Sequence, residues 1–169
     1  MANDLLLATD AGRIERPRKP LVLVDRNDGG ALIVMPPRPV WDRTELSPVE
    51  LAAFALLIAA TARAMLDVLP QLEDGCINYW DAGNWALNDA AEPPGPKRGP
   101  EHRRMHVHLL GRSPRSTSPS WQWGESPVFP CYADRLTWGA RHEPLRDDET
   151  GRIVTRTREL LGSRYRMDA

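Results

Sequence analysis

The stretch RMHVHLLGR, residues 104–112, places two of the four histidines of a 169-residue chain two positions apart in an apolar run. Successive side chains of a β-strand point to opposite faces of its sheet. The pattern therefore predicts a strand with one apolar face, suited to a core, and one polar face that carries Arg104, His106 and His108. Neighbouring positions on that face lie about 6.6 Å apart, which lets several groups converge on one bound anion or metal ion.

Three kinds of site fit a His-x-His pair on a strand. The pair can supply two ligands of a zinc site, with His102 or a remote carboxylate as a third ligand. It can be structural, with both imidazoles hydrogen-bonded at the surface of a sheet. It can also be nucleophilic, with a neutral imidazole attacking phosphorus while its neighbours bind phosphate oxygens. The two histidines alone leave all three possibilities open.

Two runs rich in β-branched residues predict an antiparallel hairpin upstream of the histidine strand. They are PLVLVDR, residues 20–26, and ALIVMPPRPV, residues 31–40, with the turn signal NDGG between them. A further short strand, CINYW at residues 76–80, precedes a long loop rich in Gly, Pro, Asn and Asp. Long loops in compact domains often carry function, so this loop is of interest as the approach to the histidine strand.

A capped amphipathic helix is predicted between the hairpin and CINYW. Ser47 is suited to the N-cap, Pro48 to the first helical position, and Glu50 to the third position of a capping box. The helix is expected to end near Pro70. Its apolar residues recur at three- and four-residue spacing, at Leu51, Phe54, Ala55, Ile58, Ala62, Met65 and Leu69.

Composition is typical of one globular domain with many loops, since 41% of the residues are hydrophobic and sixteen are prolines. The 22 basic and 23 acidic side chains leave a formal charge of -1, so no overall field attracts a nucleic acid. Cys76 and Cys131 fit no metal or redox spacing. No secretory signal is expected, and Thr61 and Arg63 interrupt the longest apolar stretch. We therefore expect a cytoplasmic protein with neither a nucleic-acid nor a membrane partner.

The order of hairpin, capped helix, Asn-bearing strand, Gly-containing loop and histidine strand resembles the histidine triad (HIT) superfamily of nucleotide hydrolases and transferases over about residues 20–112. The family motif is His-x-His-x-His followed by two apolar residues, and its middle histidine is the nucleophile. The motif can begin at His106 or at Arg104. We choose Arg104, because an apolar pair and Gly-Arg then follow as in the family, and Gly99 then matches a glycine of the phosphate loop. The resemblance thus implies that His106 is the nucleophile and His108 its phosphate-side neighbour.

The resemblance also implies roles for residues outside the histidine strand. Asp25 matches an acidic residue that holds the ribose hydroxyls, although a carboxylate flanking a turn explains it equally well. Asn78 matches an amide of the phosphate site, with a turn-forming Asn as the alternative. Arg104, in the place of the first triad histidine, can clamp a phosphate oxygen or extend into solvent. Trp121 and Trp123 can stack on the base, or pack against the sheet instead.

The fold that the resemblance implies is α+β, with an antiparallel HIT-like sheet of about five strands, flanking helices and a C-terminal extension. Residues 1–19 are expected to form an N-terminal arm and residues 20–115 the nucleotide-binding domain. Residues 116–169 are expected to form an extension that ends in a helix and packs on the same domain. Many relatives are two-fold dimers, so a homodimer is expected.

The activity that the resemblance implies is hydrolysis at the α-phosphate through a nucleotidyl-histidine, with no cofactor required. Among the substrates of relatives, dinucleoside polyphosphates rank first, because the basic loop KRGPEHRR, residues 97–104, suits a multiply charged leaving group. Nucleotidyl transfer or phosphorolysis is the nearest alternative. A nucleotide-binding module without turnover and a zinc-dependent hydrolase are the others.

Overall fold

The computed structural model describes residues 3–167. A five-stranded antiparallel sheet lies at its centre, in the order β1-β2-β3-β5-β4. The strands are β1 (Asp4–Thr9), β2 (Gly12–Arg16), β3 (Ala31–Met35), β4 (Cys76–Ala82) and β5 (His106–Arg112). The helices of this part of the chain are α1 (Pro48–Val68), α2 (Gly99–His102), α3 (Arg135–Gly139) and α4 (Asp147–Ser163). The predicted α+β class with five antiparallel strands is confirmed.

The first hairpin does not lie where the sequence predicts it. It is formed by β1 and β2, which pair from Asp4 opposite Arg16 to Thr9 opposite Gly12. Both strands lie in the segment 1–19, which was expected to form an N-terminal arm. β2 then pairs with β3, so the arm supplies two strands of the central sheet.

The segment 20–26, predicted as a strand, is irregular, and that prediction is wrong. Its backbone carbonyls bind side chains of the C-terminal extension in place of a neighbouring strand. His142 Nδ1 donates to the carbonyl of Val22 at 3.1 Å, and Trp138 Nε1 donates to that of Leu23 at 3.1 Å. Since these bonds occupy the carbonyls, the segment stays buried without joining the sheet.

The start of α1 follows the sequence prediction. Ser47 Oγ accepts from the Glu50 backbone N–H at 3.3 Å, and the Glu50 carboxylate accepts from the Ser47 N–H at 2.8 Å, which confirms the capping box. The buried face is turned from the predicted one, because Leu51 and Ala55 are exposed. The residues that α1 buries are Phe54, Leu57, Ala60, Thr61, Ala62, Ala64 and Met65.

By length and composition, α1 is the one helix of the described residues that is able to cross a membrane. It packs instead against α4 and the sheet, with Phe54, Leu57 and Met65 in the main core. This packing accounts for the apolar residues on the buried face of α1.

The two faces of the sheet are covered differently. One face packs against α1 and α4 and contributes Ile14, Leu32, Val34, Val107 and Leu109 to the main core. The other face carries a row of paired residues that crosses four strands, formed by Glu15, Ile33, His108 and Trp80. The predicted alternation of β5 is therefore confirmed from His106 onward, whereas Arg104 precedes the strand.

The C-terminal extension is anchored at the end of β5. The buried Arg112 guanidinium donates to the backbone carbonyls of Gln122 at 2.6 Å and Glu125 at 2.8 Å. It also lies 4.8 Å from the ring centroid of Trp121, whose Nε1 donates to the Gly111 carbonyl at 2.7 Å. The Gly-Arg pair that ends the histidine strand thus fixes the extension over the polar face of the sheet.

Candidate functional site

A pocket of about 340 Å³ opens on the face of the sheet that carries both histidines. Aromatic, aliphatic and charged side chains line it, among them Glu15, Ile33, Met35, Trp80, Trp85 and Arg104. A neighbouring lobe of about 180 Å³ shares His106, His108 and Trp85 with it, and is otherwise lined mainly by Leu21, Leu23 and Arg135. The histidines therefore lie at the junction of two connected spaces.

The hydrogen bonds of the histidine pair select one tautomer for each ring. His106 Nδ1 lies 2.9 Å from the Arg104 carbonyl oxygen, which only accepts, so Nδ1 carries the proton and Nε2 carries the lone pair. His108 Nε2 lies 3.1 Å from His106 Nε2 and must donate to it. The buried Nδ1 of His108 has no partner in residues 3–167. With the proton on Nε2, this Nδ1 atom is a buried acceptor that receives no hydrogen bond.

Both imidazoles are held in the neutral form. Burial lowers the pKa of His106 below its usual value, against the opposing effect of the Arg104 carbonyl. Burial and the neighbouring His106 lower the pKa of His108 to about 3. An imidazole can act as a nucleophile only when it is unprotonated, so the pair is ready for such chemistry at neutral and mildly acidic pH.

A stack of aromatic rings holds His108 in place. The Trp80 ring stacks on the His108 imidazole at 5.3 Å between centroids, and the Phe129 ring stacks on Trp80 at 4.7 Å. Trp121 meets the Phe129 ring edge-on at 5.7 Å. Because Phe129 and Trp121 belong to the C-terminal extension, the extension supports the histidine pair through Trp80.

Gly83 determines where the Arg104 carbonyl lies. Its φ of +112° is unfavourable for other residues, and a Cβ at this position would lie 2.3 Å from the Arg104 carbonyl oxygen. That oxygen is the acceptor for His106 Nδ1. Because glycine has no side chain, the end of β4 can approach the Arg104 carbonyl, which fixes the His106 tautomer.

Most cations of the basic loop serve the fold and do not line the pocket. Lys97 Nζ donates to the carbonyls of Asn88 and Gly95, and Arg103 pairs with Asp42 and Asp81. The Arg104 guanidinium donates to the backbone carbonyls of Arg103 and Glu101. Arg104 is the arginine of this loop that lines the main pocket.

A groove of about 260 Å³ continues from the main pocket past Met35 and Arg104. Arg13, Arg38 and Arg104 line it, and none of the described residues lining it is acidic. Arg38 is paired with Glu50 at 2.8 Å, whereas Arg13 lies 3.6 Å from Glu15. The groove is therefore suited to an anionic group attached to a ligand in the main pocket.

Two of the residues that the resemblance implies for substrate binding, Asp25 and Asn78, do not line the pocket. Asp25 does not line the pocket, because its carboxylate accepts from the backbone N–H groups of Asn27 at 2.8 Å and Glu143 at 2.7 Å. Asn78 lies on the histidine face of β4 opposite Leu110 but beyond Trp80, outside the pocket.

Three further implied substrate residues also lie outside the pocket, whereas Arg104 lines it. Gly99 begins α2 and faces the ring of Trp41. Trp121 is buried in the small apolar cluster beneath the extension, as the packing alternative predicts, and Trp123 is 42% exposed at the surface. The tryptophans of the pocket are instead Trp80 and Trp85.

Sequence reasoning missed two polar residues of the pocket, Asn3 and Glu15. Both lie in the segment taken as an arm. The alternation in GRIER, with Ile14 between Arg13 and Glu15, is the signal of a half-buried strand that would have pointed to Glu15.

Residues 3–167 contain no group of three His, Cys, Asp or Glu side chains able to hold a metal ion. His102, considered above as a third zinc ligand, does line the same pocket as the histidine pair. The described residues thus offer two neutral imidazoles in contact, and they lack the three-ligand set of a catalytic zinc site.

No protein-family model and no curated protein sequence matches this chain. The resemblance to the HIT superfamily therefore rests on the capped helix, the following strand and the His-x-His strand in that order. Membership of the superfamily stays a proposal.

Proposed function

We propose that this protein is a nucleotide hydrolase with a HIT-like fold that acts at the α-phosphate through a nucleotidyl intermediate on His106. The supporting observation is the bond from His106 Nδ1 to the Arg104 carbonyl, 2.9 Å long. It leaves Nε2 unprotonated at the pocket, where its lone pair accepts a hydrogen bond from the second neutral imidazole, His108. A nucleophile with an adjacent donor is the arrangement that phosphoryl chemistry requires.

The reaction has two displacement steps. First, His106 Nε2 forms a bond to the α-phosphorus as the bond from phosphorus to the leaving oxygen breaks. The His108 N–H, released from His106 Nε2, donates to a phosphate oxygen. Water then attacks the phosphorus and the N–P bond breaks, which returns a neutral His106, while the proton lost by water goes to solvent. The products are a nucleoside monophosphate and the leaving group, which departs as its polyphosphate anion.

The groove lined by Arg13, Arg38 and Arg104 favours a polyanionic leaving group. A dinucleoside polyphosphate has such a group, whereas the amine released from a phosphoramidate has none. We therefore rank dinucleoside polyphosphates first among the substrates, with Arg104 as the residue that contacts the phosphate chain at the mouth of the groove.

Hydrolysis of diadenosine tetraphosphate in ¹⁸O-labelled water tests this function. Attack at the α-phosphorus puts the label into AMP and leaves the ATP unlabelled. A product ADP that appears only when inorganic phosphate is added would indicate phosphorolysis instead. Tight AMP binding without any product would indicate a binding module.

The homodimer implied by the resemblance is also a proposal. β4 forms an edge of the sheet, and no other strand of the described residues pairs with its outer side. Its Tyr79 is 58% exposed, and a free edge of this kind can pair with a second copy. Sedimentation of the wild type and of Tyr79→Lys tests this, with a monomeric variant expected.

A further inference from the structure

The wall of the pocket formed by β2 and the residue before β1 offers hydrogen-bond acceptors. Asn3 Nδ2 donates to Glu15 Oε2 at 3.1 Å, so the amide of Asn3 is fixed in orientation. Its Oδ1 atom is buried and has no partner among residues 3–167. Asn3 lines both lobes of the site, and Glu15 lines the main pocket. An unsatisfied carbonyl oxygen beside a carboxylate is a pair of acceptors at the junction of the two lobes.

The sheet register gives the distance from this wall to the histidines. Glu15 pairs with Ile33, and Ile33 pairs with His108. Two strand spacings, about 10 Å, therefore separate the backbones of Glu15 and His108. With both side chains pointing into the pocket, this distance suits a nucleotide whose α-phosphate lies at the histidines and whose ribose extends toward β2.

Charge selects which part of a nucleotide can lie beside Glu15. A carboxylate repels phosphate oxygens and accepts from O–H and N–H donors. The phosphate chain is accordingly expected in the arginine-lined groove, which meets the Glu15 wall at Arg13, 3.6 Å from the Glu15 carboxylate. The 2′ and 3′ hydroxyls of a ribose supply two adjacent donors that match the two acceptors of Asn3 and Glu15.

Asp25, the ribose-binding residue that the resemblance implies, is not available for this contact. Both of its carboxylate oxygens already accept from backbone N–H groups, those of Asn27 and Glu143. Asp25 also lines neither lobe of the site, so its carboxylate is not placed to reach a nucleotide bound there.

We propose that Asn3 and Glu15 form the subsite that recognises the vicinal hydroxyls of the substrate ribose. This inference rests on the proposed nucleotide hydrolase function and specifies its selectivity. The enzyme is then specific for ribonucleotides over their deoxy counterparts, and the selectivity lies in β2 and in the residue before β1.

Calorimetric binding of AMP, 2′-deoxy-AMP, 3′-deoxy-AMP and IMP tests the proposal in the full chain. The wild type is expected to bind AMP at least about tenfold more tightly than either deoxy nucleotide, since each loses a hydrogen bond to an acceptor pair that includes a charged group. Glu15→Gln and Asn3→Leu should each reduce this ratio severalfold, while Asp25→Asn should leave it unchanged. Melting temperatures identify any variant whose fold is impaired, and Glu15→Gln is nearly isosteric.

Several results would overturn the proposal. One is a ribose preference that survives in Glu15→Gln and disappears in Asp25→Asn. Another is a change in the ratio of AMP to IMP affinity in Glu15→Gln with no change in the deoxy ratios, because Glu15 would then contact the base amine. Equal binding of AMP and the deoxy nucleotides by a wild type that hydrolyses diadenosine tetraphosphate removes this subsite alone. If the wild type neither binds nor hydrolyses nucleotides, the proposed function fails as well.

Discussion

The Nε2 atoms of His106 and His108 lie 3.1 Å apart, within hydrogen-bond distance. Because Nδ1 of His106 donates its proton to the Arg104 carbonyl, Nε2 of His106 is unprotonated. Its lone pair accepts a hydrogen bond from the Nε2–H group of His108. In the free protein the proposed nucleophile is therefore covered by its neighbour. A bound phosphate that attracts the His108 N–H would uncover it, which links substrate binding to activation of His106.

The acid limb of the pH profile should lie below the usual histidine range. Activity is lost as pH falls through the pKa of His106, and burial lowers that pKa from the ordinary value of about 6.5. We expect the acid limb of kcat/KM for diadenosine tetraphosphate to be centred below pH 6.5. An acid limb centred at or above pH 6.5 would contradict the burial of the nucleophile.

Neutral His108 should also make the fold sensitive to acid. Its pKa of about 3 in the folded chain lies below the unfolded value, so the unfolded chain binds the extra proton and stability falls as pH falls below about 6.5. Between pH 6 and pH 5, the free energy of unfolding of the wild type should fall by about 1 kcal/mol more than that of His108→Gln. Urea unfolding at the two pH values measures this, and equal losses in both proteins would contradict it.

Phe129 is expected to act on catalysis through Trp80. In Phe129→Ala the outer ring of the stack is lost, so His108 is less well fixed and kcat should fall by about tenfold with little change in KM. Trp or Tyr at position 129 should restore most of the activity. Trp123→Ala is the matched control, since Trp123 is an exposed aromatic residue of the same extension and its loss should not alter kcat. Equal effects of the two alanine variants would argue against the stack.

Gly83→Ala should disable the site by moving the Arg104 carbonyl. The new Cβ would lie 2.3 Å from that oxygen, and the bond that fixes the His106 tautomer would be lost. We expect kcat/KM to fall by at least about 100-fold, comparable to the loss of a triad-type orienting group. Gly95→Ala provides the control, because Gly95 has a similar φ of +110° and no atom within 4 Å of its would-be Cβ. That variant should carry the same backbone strain and retain activity.

Arg104 should distinguish substrates by the charge of their leaving group. Arg104→Gln is expected to lower kcat/KM for diadenosine tetraphosphate about tenfold, while activity on an adenosine phosphoramidate changes much less. Arg98→Gln is the control, since the side chain of Arg98 is 80% exposed and outside the pocket. A parallel loss on both substrates would show that Arg104 does not contact the leaving group.

The histidine strand and the helix α1 could be predicted because their signals are local. Alternating polarity fixes the face of His106 and His108, and the capping box from Ser47 to Glu50 involves residues three positions apart. Those features need no knowledge of the rest of the chain.

The structure of the segment 20–26 and the burial of Trp121 could not be predicted in this way, because long-range contacts decide both. The carbonyls of Val22 and Leu23 bind side chains more than a hundred residues away, although the segment has the composition of a strand. Trp121 likewise has the same local character as Trp123, yet only Trp121 is buried through its bond to the Gly111 carbonyl.

The central claim is that His106 becomes covalently nucleotidylated, and intact-mass measurement after rapid acid denaturation tests it directly. Wild type, His106→Ala and His108→Ala are each mixed with diadenosine tetraphosphate and, separately, with an adenosine phosphoramidate. We predict an AMP-sized mass increase in the wild type that is absent from His106→Ala and retained, at a lower level, in His108→Ala. An adduct that persists in His106→Ala and disappears from His108→Ala, or substrate turnover with no adduct in any protein, would contradict the claim.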